Sequence, residues 1–331
     1  MHTIGIDLCY LAVDGVDDGF KADYPLKEVE NNAHGIVNAI LQEQPDVVYW
    51  RFNKRFLASV VGPVKSKNIS IIFSVSHILD LKPYYYKSIP GLNLYGRLRR
   101  QLSHWIRGWH YAKALKQIDG VVCNNEDHLE FINHNNKGYI PNSPFLEKKS
   151  FEWPRPYIVW VGNLKAHKHP EVFIRLAGDL ADIQVDFIMV GEIQQQAYDY
   201  VKEGGDLPQN FYYLGKKGIL ETNGIIAGSQ FLVHTCEAEG FPNVFLQAWG
   251  YAKPVVSQLF DPGGQIEEGD AGFLSGNYGQ LKTDCMRLIE SPELLRRKGE
   301  NAKELIEQRF VKEQNIKSLL NFLNQTLQKS K

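Results

Sequence analysis

The stretch Glu239-Gly-Phe-Pro-Asn-Val-Phe-Leu-Gln247-Ala-Trp-Gly-Tyr-Ala-Lys-Pro-Val-Val256, followed by the pair Gly263-Gly264, decides which fold this sequence encodes. Pro242 suits the first position of a helix, because an amide at that position would have no partner within the helix. This places Glu239 in a turn immediately before a helix. Asn243 and Gln247 are four residues apart and therefore share one helix face. The stretch predicts a turn, a helix, a short apolar strand and a glycine turn, with polar groups along one edge.

Short apolar strands alternate with helical patterns along the chain, and this alternation is typical of a parallel sheet covered by helices. In the first part we predict strands at 3–8, 46–50, 69–75 and 120–123, with helices at 29–42 and 54–65. A Pro-rich polar crossing follows at 139–149, and a second alternation starts at Tyr157. The pattern predicts a first Rossmann-like domain at 1–145, a second at 146–311, and a last helix at 312–331.

Composition excludes several classes of protein. The 331 residues have a formal net charge of -1, whereas affinity for nucleic acid comes largely from Lys and Arg that neutralise phosphates. No apolar run approaches the roughly 20 residues that span a bilayer, and no basic secretory signal is apparent at the N-terminus. The four cysteines are scattered without a C-x-x-C pair, so neither disulfides nor a structural zinc site is predicted. We expect a protein of the reducing cytoplasm that does not bind nucleic acid.

Further motifs extend the pattern of the 239–264 stretch. Tyr157-Ile-Val-Trp-Val-Gly-Asn-Leu-Lys-Ala-His-Lys168 is a strand and a glycine loop that ends in a lysine, and Asp186-Phe-Ile-Met-Val-Gly-Glu192 is a later strand. In order and spacing these motifs resemble the donor-site signature of the family-4 retaining glycosyltransferases (glycosyl transferases group 1), which have the GT-B fold. The resemblance covers residues 140–328 well and residues 1–139 only in outline.

The resemblance implies an α/β fold with two Rossmann-like domains, a cleft between them, and a C-terminal helix that crosses back to the first domain. It also implies a retaining hexosyltransferase that moves a sugar from a nucleotide-sugar donor to a glycan or lipid-linked acceptor in surface polysaccharide or glycoconjugate synthesis. Neither a cofactor nor a metal ion is expected. In the implied reaction the acceptor attacks on the face from which the diphosphate leaves, and the departing phosphate takes the acceptor proton.

The resemblance implies roles for individual residues. Glu239 orients the sugar, Lys168 holds the diphosphate and His77 lines the opposite side of the sugar. Taken alone, Lys168 is an ordinary loop lysine, and a histidine at a strand end is often structural. The other residues placed at the donor site are Gly162, Asn163, Gly191, Phe241, Asn243, Gln247, Gly263 and Gly264.

Two positions depart from the pattern of the family. The family usually has Glu at the position of Gln247 and Arg at the position of Asn163, and both changes remove charge. Gln still forms hydrogen bonds to hydroxyl groups, but without the strength that a carboxylate adds. The alternative hypothesis is therefore a non-catalytic GT-B protein that binds nucleotide or glycan as a partner in a biosynthetic complex.

The segment 81–118 is basic and aromatic, and it contains neither Asp nor Glu. Cationic side chains beside Trp and Tyr suit an anionic membrane surface or a lipid-diphosphate acceptor. The alternative is a basic helix that packs its aromatic side chains into the first domain. On the first interpretation the protein is peripheral on the inner face of the cytoplasmic membrane, and the residues that contact acceptor or membrane are Arg97, Arg99, Arg100, Trp105 and Arg107.

Overall fold

The computed structural model describes residues 6–13, 24–51, 54–84 and 94–329, and the chain separates into two compact units. Unit 1 comprises Met1–Asn124, His128–Ile140 and Lys317–Lys331, and unit 2 comprises Asn125–Asp127 and Pro141–Ile316. Each unit has its own parallel sheet.

Unit 1 contains a two-stranded and a four-stranded sheet, both parallel. The small sheet pairs β1 with β2, and the larger sheet has the order β3-β4-β5-β6. The strands are β1 (Tyr10–Ala12), β2 (Leu26–Glu28), β3 (Val47–Arg51), β4 (Ser70–Val75), β5 (Gly120–Cys123) and β6 (Lys137–Tyr139). All six residues of β4 are buried, as expected for a strand that is covered on both faces.

Among the described residues of unit 1, three α-helices precede the last strand: α1 (Ala33–Glu43), α2 (Lys54–Lys65) and α3 (Leu94–Leu115). Helix α1 begins after Asn32, whose side-chain oxygen accepts a hydrogen bond from the Gly35 amide at 2.7 Å. This cap satisfies an amide that has no partner within the helix. Buried apolar residues of α1 and α2 pack together with those of β4 in one core.

Unit 2 has a six-stranded parallel sheet in the order β12-β11-β10-β7-β8-β9. If β7 to β12 are numbered 1 to 6, the order read from the β9 edge is 3-2-1-4-5-6. This is the order of the doubly wound Rossmann fold. The strands are β7 (Tyr157–Val161), β8 (Asp186–Val190), β9 (Phe211–Tyr213), β10 (Leu232–His234), β11 (Val255–Ser257) and β12 (Gly272–Leu274).

Helices cover both faces of the second sheet. Tyr157 and Val159 of β7 join the apolar core on one face, and Ile158 and Trp160 join the core on the other. The side chains of a strand alternate between faces, so an unbroken apolar strand needs two such cores. The helices are α4 (Pro170–Asp179), α5 (Tyr200–Glu203), α6 (Ile219–Gly228), α7 (Asn243–Gly250), α8 (Gln265–Glu268), α9 (Tyr278–Glu290) and α10 (Pro292–Arg309).

The last helix, α11 (Lys312–Lys329), returns to the sheet of unit 1. Phe322 packs against Ile72 and Val122 of that sheet. Thr326 is 1% exposed, and its hydroxyl accepts a hydrogen bond from the Asn136 amide at 2.8 Å. This helix is the C-terminal crossing that the resemblance implies.

Most predicted elements form within two or three residues of their expected positions. The strand predicted at 3–8 is different, because residues 1–5 lie outside the described part and residues 6–8 are not in a strand; β1 begins at Tyr10. Helix α7 begins at Asn243, so Pro242 is the residue before the helix and not its first residue.

Candidate functional site

The loops that follow β7 and β10 lie next to each other at the carboxyl edge of the unit 2 sheet. These strands are neighbours, although β8 and β9 separate them in the sequence. The strand order reverses between them, and ligands of doubly wound sheets bind outside the carboxyl ends of strands at such a point. The two loops carry Lys168 and Glu239, so the topology brings two distant predicted residues to one place.

Lys168 and Glu239 form an ion pair in which Nζ donates to Oε1. Their side chains are only 22% and 20% exposed. The lysine loop is held in position because the Thr235 hydroxyl donates to the Lys168 carbonyl at 2.5 Å and accepts from Trp160 Nε1 at 3.0 Å. Sequence reasoning missed Thr235; a polar residue directly after a buried strand was the signal.

His234, the last residue of β10, is a second partner of Glu239. Its Nε2 lies 3.2 Å from the glutamate Oε1, and its Nδ1 lies 3.2 Å from Ser257 Oγ. The Ser257 hydroxyl also donates to the Phe260 carbonyl at 2.6 Å. A carboxylate only accepts hydrogen bonds, so the contact with Glu239 is a hydrogen bond when Nε2 carries a proton.

The electrostatic environment keeps Glu239 ionised at neutral pH. Burial by itself raises the pKa of this carboxyl, but the hydrogen bond with His234 and the charge of Lys168 outweigh burial and lower the pKa to about 2. Burial lowers the pKa of His234, against the opposing effect of Glu239. The site thus holds a carboxylate that accepts further hydrogen bonds.

Cys236 lies beside this pair, and potential ligand atoms of His234, Cys236 and Glu239 are within 4.8 Å of one another. Burial, reinforced by Glu239, raises the pKa of the Cys236 thiol to about 11. The metal-binding form is the thiolate, and Lys168 already neutralises the carboxylate. The chemistry of the group thus favours an ion pair over a metal site, and metal independence stays a prediction.

The Gly263-Gly264 turn has both residues in the left-handed region, at φ 62° and 67°. The amide of Gly263, one of the predicted donor-site residues, donates to the carboxylate of Asp127 at 2.9 Å. The Asp261 carboxylate accepts from the Ile266 amide at 2.8 Å. The Gly263 and Ile266 amides thus both donate to carboxylate oxygens, which are anionic like the oxygens of a phosphate. Sequence reasoning missed both aspartates.

Gln247 and Asn243 occupy different environments on α7. Gln247 is 7% exposed, and its Nε2 donates to Asn223 Oδ1 at 2.8 Å. The Asn223 amide nitrogen donates to the Phe145 carbonyl at 2.8 Å, which fixes its orientation. Asn243 is exposed, and its Oδ1 accepts from Asn142. Contact of either side chain with a ligand stays a prediction.

The remaining predicted donor-site residues have clear structural roles. A Cβ on Gly191 would lie 1.8 Å from the Gly162 carbonyl oxygen, so this crossing of two loops requires glycine at 191. Asn163, the residue after Gly162, is exposed. Phe241 is 7% exposed and packs against Phe310, with 5.3 Å between ring centroids. Any contact of Phe241 with a ligand would therefore come from its backbone.

His77 belongs to unit 1 and follows β4 by two residues. Its Nδ1 accepts from the Leu79 amide at 3.0 Å, and the Asp80 carboxylate accepts from the His77 amide at 3.0 Å. The acceptor role of Nδ1 assigns the proton of the neutral ring to Nε2. This capping arrangement supports the structural interpretation of His77, and its role in sugar binding stays a prediction.

The predicted acceptor or membrane residues all lie on α3 and are exposed: Arg97, Arg99, Arg100, Trp105 and Arg107. Trp105 is 58% exposed and Trp109 49%, which contradicts the alternative in which the aromatic side chains pack into unit 1. Among the aromatic residues of this segment that the structure describes, Tyr111 alone packs into unit 1, at 8% exposure. Within the described residues no helix is both long and apolar enough to cross a membrane.

The chain has the GT-B fold. Residues 155–291 match the family model for glycosyl transferases group 1, which confirms the resemblance to this group, and the retaining subtype stays a prediction. No curated protein matches the chain.

Several solved structures share the fold. HepE from Anabaena, in complex with UDP and glucose, has a TM-score of 0.68 at 19% identity; the match covers 91% of this chain and 86% of HepE. Sucrose-phosphate synthase from Thermosynechococcus elongatus has a TM-score of 0.70 at 14% identity, over 96% and 87% of the two chains. TarM from S. aureus, as a mutant in complex with fondaparinux, alpha-GlcNAc-glycerol and UDP, has a TM-score of 0.65 at 17% identity; the match covers 90% of this chain and 60% of TarM.

Proposed function

We propose that this protein is a retaining glycosyltransferase that moves a sugar from a nucleotide-sugar to a glycan or lipid-linked acceptor. The observation that carries the proposal is the Lys168–Glu239 ion pair at the strand-order reversal of unit 2. The site lies within residues 155–291, the part that matches glycosyl transferases group 1. HepE and TarM are both described with UDP, which favours a uridine nucleotide as the first donor to test.

In the proposed donor complex, Lys168 exchanges Glu239 for the diphosphate of the donor. A fixed ammonium stabilises the negative charge that grows on the phosphate as its bond to the anomeric carbon breaks. Glu239 then accepts hydrogen bonds from sugar hydroxyls, a role that suits a carboxylate with a lowered pKa. The acceptor oxygen bonds to the anomeric carbon on the side that the phosphate leaves, and its proton passes to the departing phosphate.

The test measures free UDP released from UDP-glucose, and the corresponding nucleotides from guanosine, adenosine and thymidine diphosphate sugars, with membrane and glycan extracts as acceptors. Lys168→Ala should lower turnover about 100-fold, because loss of one positioned electrostatic group commonly costs this much. Glu239→Gln should also lower turnover. Lys216→Ala, which removes an exposed lysine of the same unit, is the matched control. No release by the wild type from any donor would overturn the proposal.

A second candidate function is a non-catalytic partner that binds nucleotide or glycan in a biosynthetic complex. The uncharged Asn163 and the burial of Gln247 against Asn223 favour it, since both positions lack the usual charge. Such a protein would bind the donor and raise its own melting temperature without releasing nucleotide. A ligand at 100 times its dissociation constant stabilises by about 2.7 kcal/mol, enough to detect.

The proposed setting is the synthesis of surface polysaccharide or glycoconjugates, at the inner face of the cytoplasmic membrane. The basic exposed residues of α3 support this location. Neither a cofactor nor a metal ion is part of the proposal, and the addition of EDTA should leave nucleotide release unchanged.

A further inference from the structure

The imidazole of His234 makes two polar contacts that a neutral ring cannot satisfy together. Its Nε2 lies 3.2 Å from Oε1 of Glu239, and its Nδ1 lies 3.2 Å from Oγ of Ser257. A carboxylate has no proton to donate, and the hydroxyl of Ser257 donates to the Phe260 carbonyl, 2.6 Å away. Each neutral tautomer therefore directs one nitrogen lone pair at an oxygen lone pair. A doubly protonated ring donates to both oxygens and leaves the serine proton on the Phe260 carbonyl.

The surroundings of His234 fix the position of the ring but oppose its positive charge. The side chain is 6% exposed, and the ring of Phe245 meets it edge-on, with 4.8 Å between the centroids. Burial lowers the pKa of His234, the carboxylate of Glu239 raises it, and the ammonium of Lys168 lowers it further. Cys236, beside them, stays a neutral thiol because burial raises its pKa. The charge of the ring thus depends on the balance between Glu239 and Lys168.

Exchange of the Lys168 partner changes this balance. In the proposed donor complex the ammonium of Lys168 leaves Glu239 for the diphosphate of the donor. Glu239 is then a carboxylate of 20% exposure that has lost its cation, and a largely buried charge without a partner is strongly destabilised. At the same time the positive charge that opposes protonation of His234 moves away. Both changes favour an imidazolium at position 234.

We propose, on the basis of the function given above, that His234 is the positioning residue of Glu239, which takes up a proton as Lys168 leaves and holds the carboxylate towards the sugar hydroxyls. The proton comes from solvent and binds the free nitrogen lone pair of the ring, and no covalent bond of the protein breaks. The imidazolium then donates through Nε2 to Glu239 and through Nδ1 to Ser257. Because the donor complex binds more protons than the free protein, donor binding tightens as pH falls through the range in which His234 titrates.

The first test needs no donor, because Lys168→Met removes the ammonium from Glu239 permanently. The imidazole signals of the full chain are followed against pH by NMR in the presence of EDTA, and the signal that His234→Gln lacks is that of His234. We expect the midpoint of this signal to lie at higher pH in Lys168→Met than in the wild type.

Two further variants support this first test. Lys168→Gln also removes the cation and should move the midpoint in the same direction if Lys168→Met does not fold. Lys216→Met removes an exposed lysine of the same unit and should leave the midpoint unchanged. A midpoint in the folded Lys168 variants that is equal to or lower than that of the wild type overturns the proposal.

The second test separates positioning of Glu239 from a purely structural role of His234. His234→Gln keeps a neutral N–H donor for Glu239, so its turnover should no longer fall as pH rises through the range in which wild-type turnover falls. His234→Leu fills the same apolar space without a donor and should lower turnover at saturating donor about 100-fold. Melting temperatures verify that both variants are folded. Equal turnover of the two variants overturns the proposal.

Addition of UDP separates this inference from the proposed function. If the donor site is right, UDP should move the His234 midpoint of the wild type in the same direction as Lys168→Met does. A midpoint that responds to Lys168→Met but not to UDP contradicts the exchange at the donor site, yet supports the control of His234 by Lys168 and Glu239. A midpoint that responds to neither overturns the inference, whatever nucleotide release shows.

Discussion

Replacement of Glu239 by Gln tests the electrostatics of the proposed site through protein stability. The pKa of Glu239 falls from an ordinary value of 4.5 to about 2 in the folded protein. At about 1.4 kcal/mol per pKa unit, this lowering corresponds to about 3 kcal/mol of stability at neutral pH. The side chain is 20% exposed, so solvent screens part of the effect, and we expect Glu239→Gln to lose about 2 kcal/mol at pH 7.

The pH dependence gives this prediction its sign. A carboxyl with a lowered pKa stabilises the folded state fully above its unfolded pKa, and the contribution is lost as pH falls through the folded pKa. The difference between wild type and variant should therefore shrink as pH falls from 4.5 towards 2. Urea unfolding followed by tryptophan fluorescence measures it, with Glu237→Gln, 66% exposed, as a control that should change little. A difference that stays constant down to about pH 3 would refute the reasoning.

Three other substitutions have expected outcomes. Gln247→Glu should destabilise the fold by about 1–3 kcal/mol in urea unfolding, because a carboxylate would face Asn223 Oδ1 in a buried position. If the proposed donor site is right, Asp127→Ala should lower the dissociation constant for UDP in calorimetry, because it removes an anion that occupies the Gly263 amide. Gly62→Ala should lower stability in the same unfolding assay, because Gly62 precedes Pro63 inside α2 and the Pro ring disfavours a Cβ on a preceding residue in the helical conformation.

Local patterns were sufficient to predict most of the fold. The helix predicted at 54–65 is α2, and the strand predicted at 120–123 is β5, with the same bounds. Such elements are recognisable because burial imposes an apolar period of about 3.6 residues on helices and of 2 on half-buried strands. Of the strand predicted at 3–8, the described residues 6–8 are not in a strand, and β1 begins at Tyr10; a short strand of three residues carries little of this periodicity.

The sequence predicted which residues belong to the site, but not which of their side chains contact each other. The motifs around Lys168 and Glu239 were recognised, but nothing local indicated that these side chains pair directly. The partners Asp127 and Asn223 were missed for the same reason: each contacts a loop or helix that is distant in the sequence, Asp127 at Gly263 and Asn223 at Gln247. A polar residue outside a motif shows no signal of such a contact.

The sequence by itself determined the alternation of strands and helices, the positions of glycine turns and the resemblance of the second unit to glycosyl transferases group 1, because these depend on local periodicity and motif spacing. Tertiary structure decided which loops meet. The order of parallel strands puts β7 beside β10, so Lys168 neutralises Glu239 and the carboxyl pKa falls. It also decided that α3 keeps Tyr111 inside and Trp105 outside, since an amphipathic pattern identifies an apolar face but not the surface that covers it.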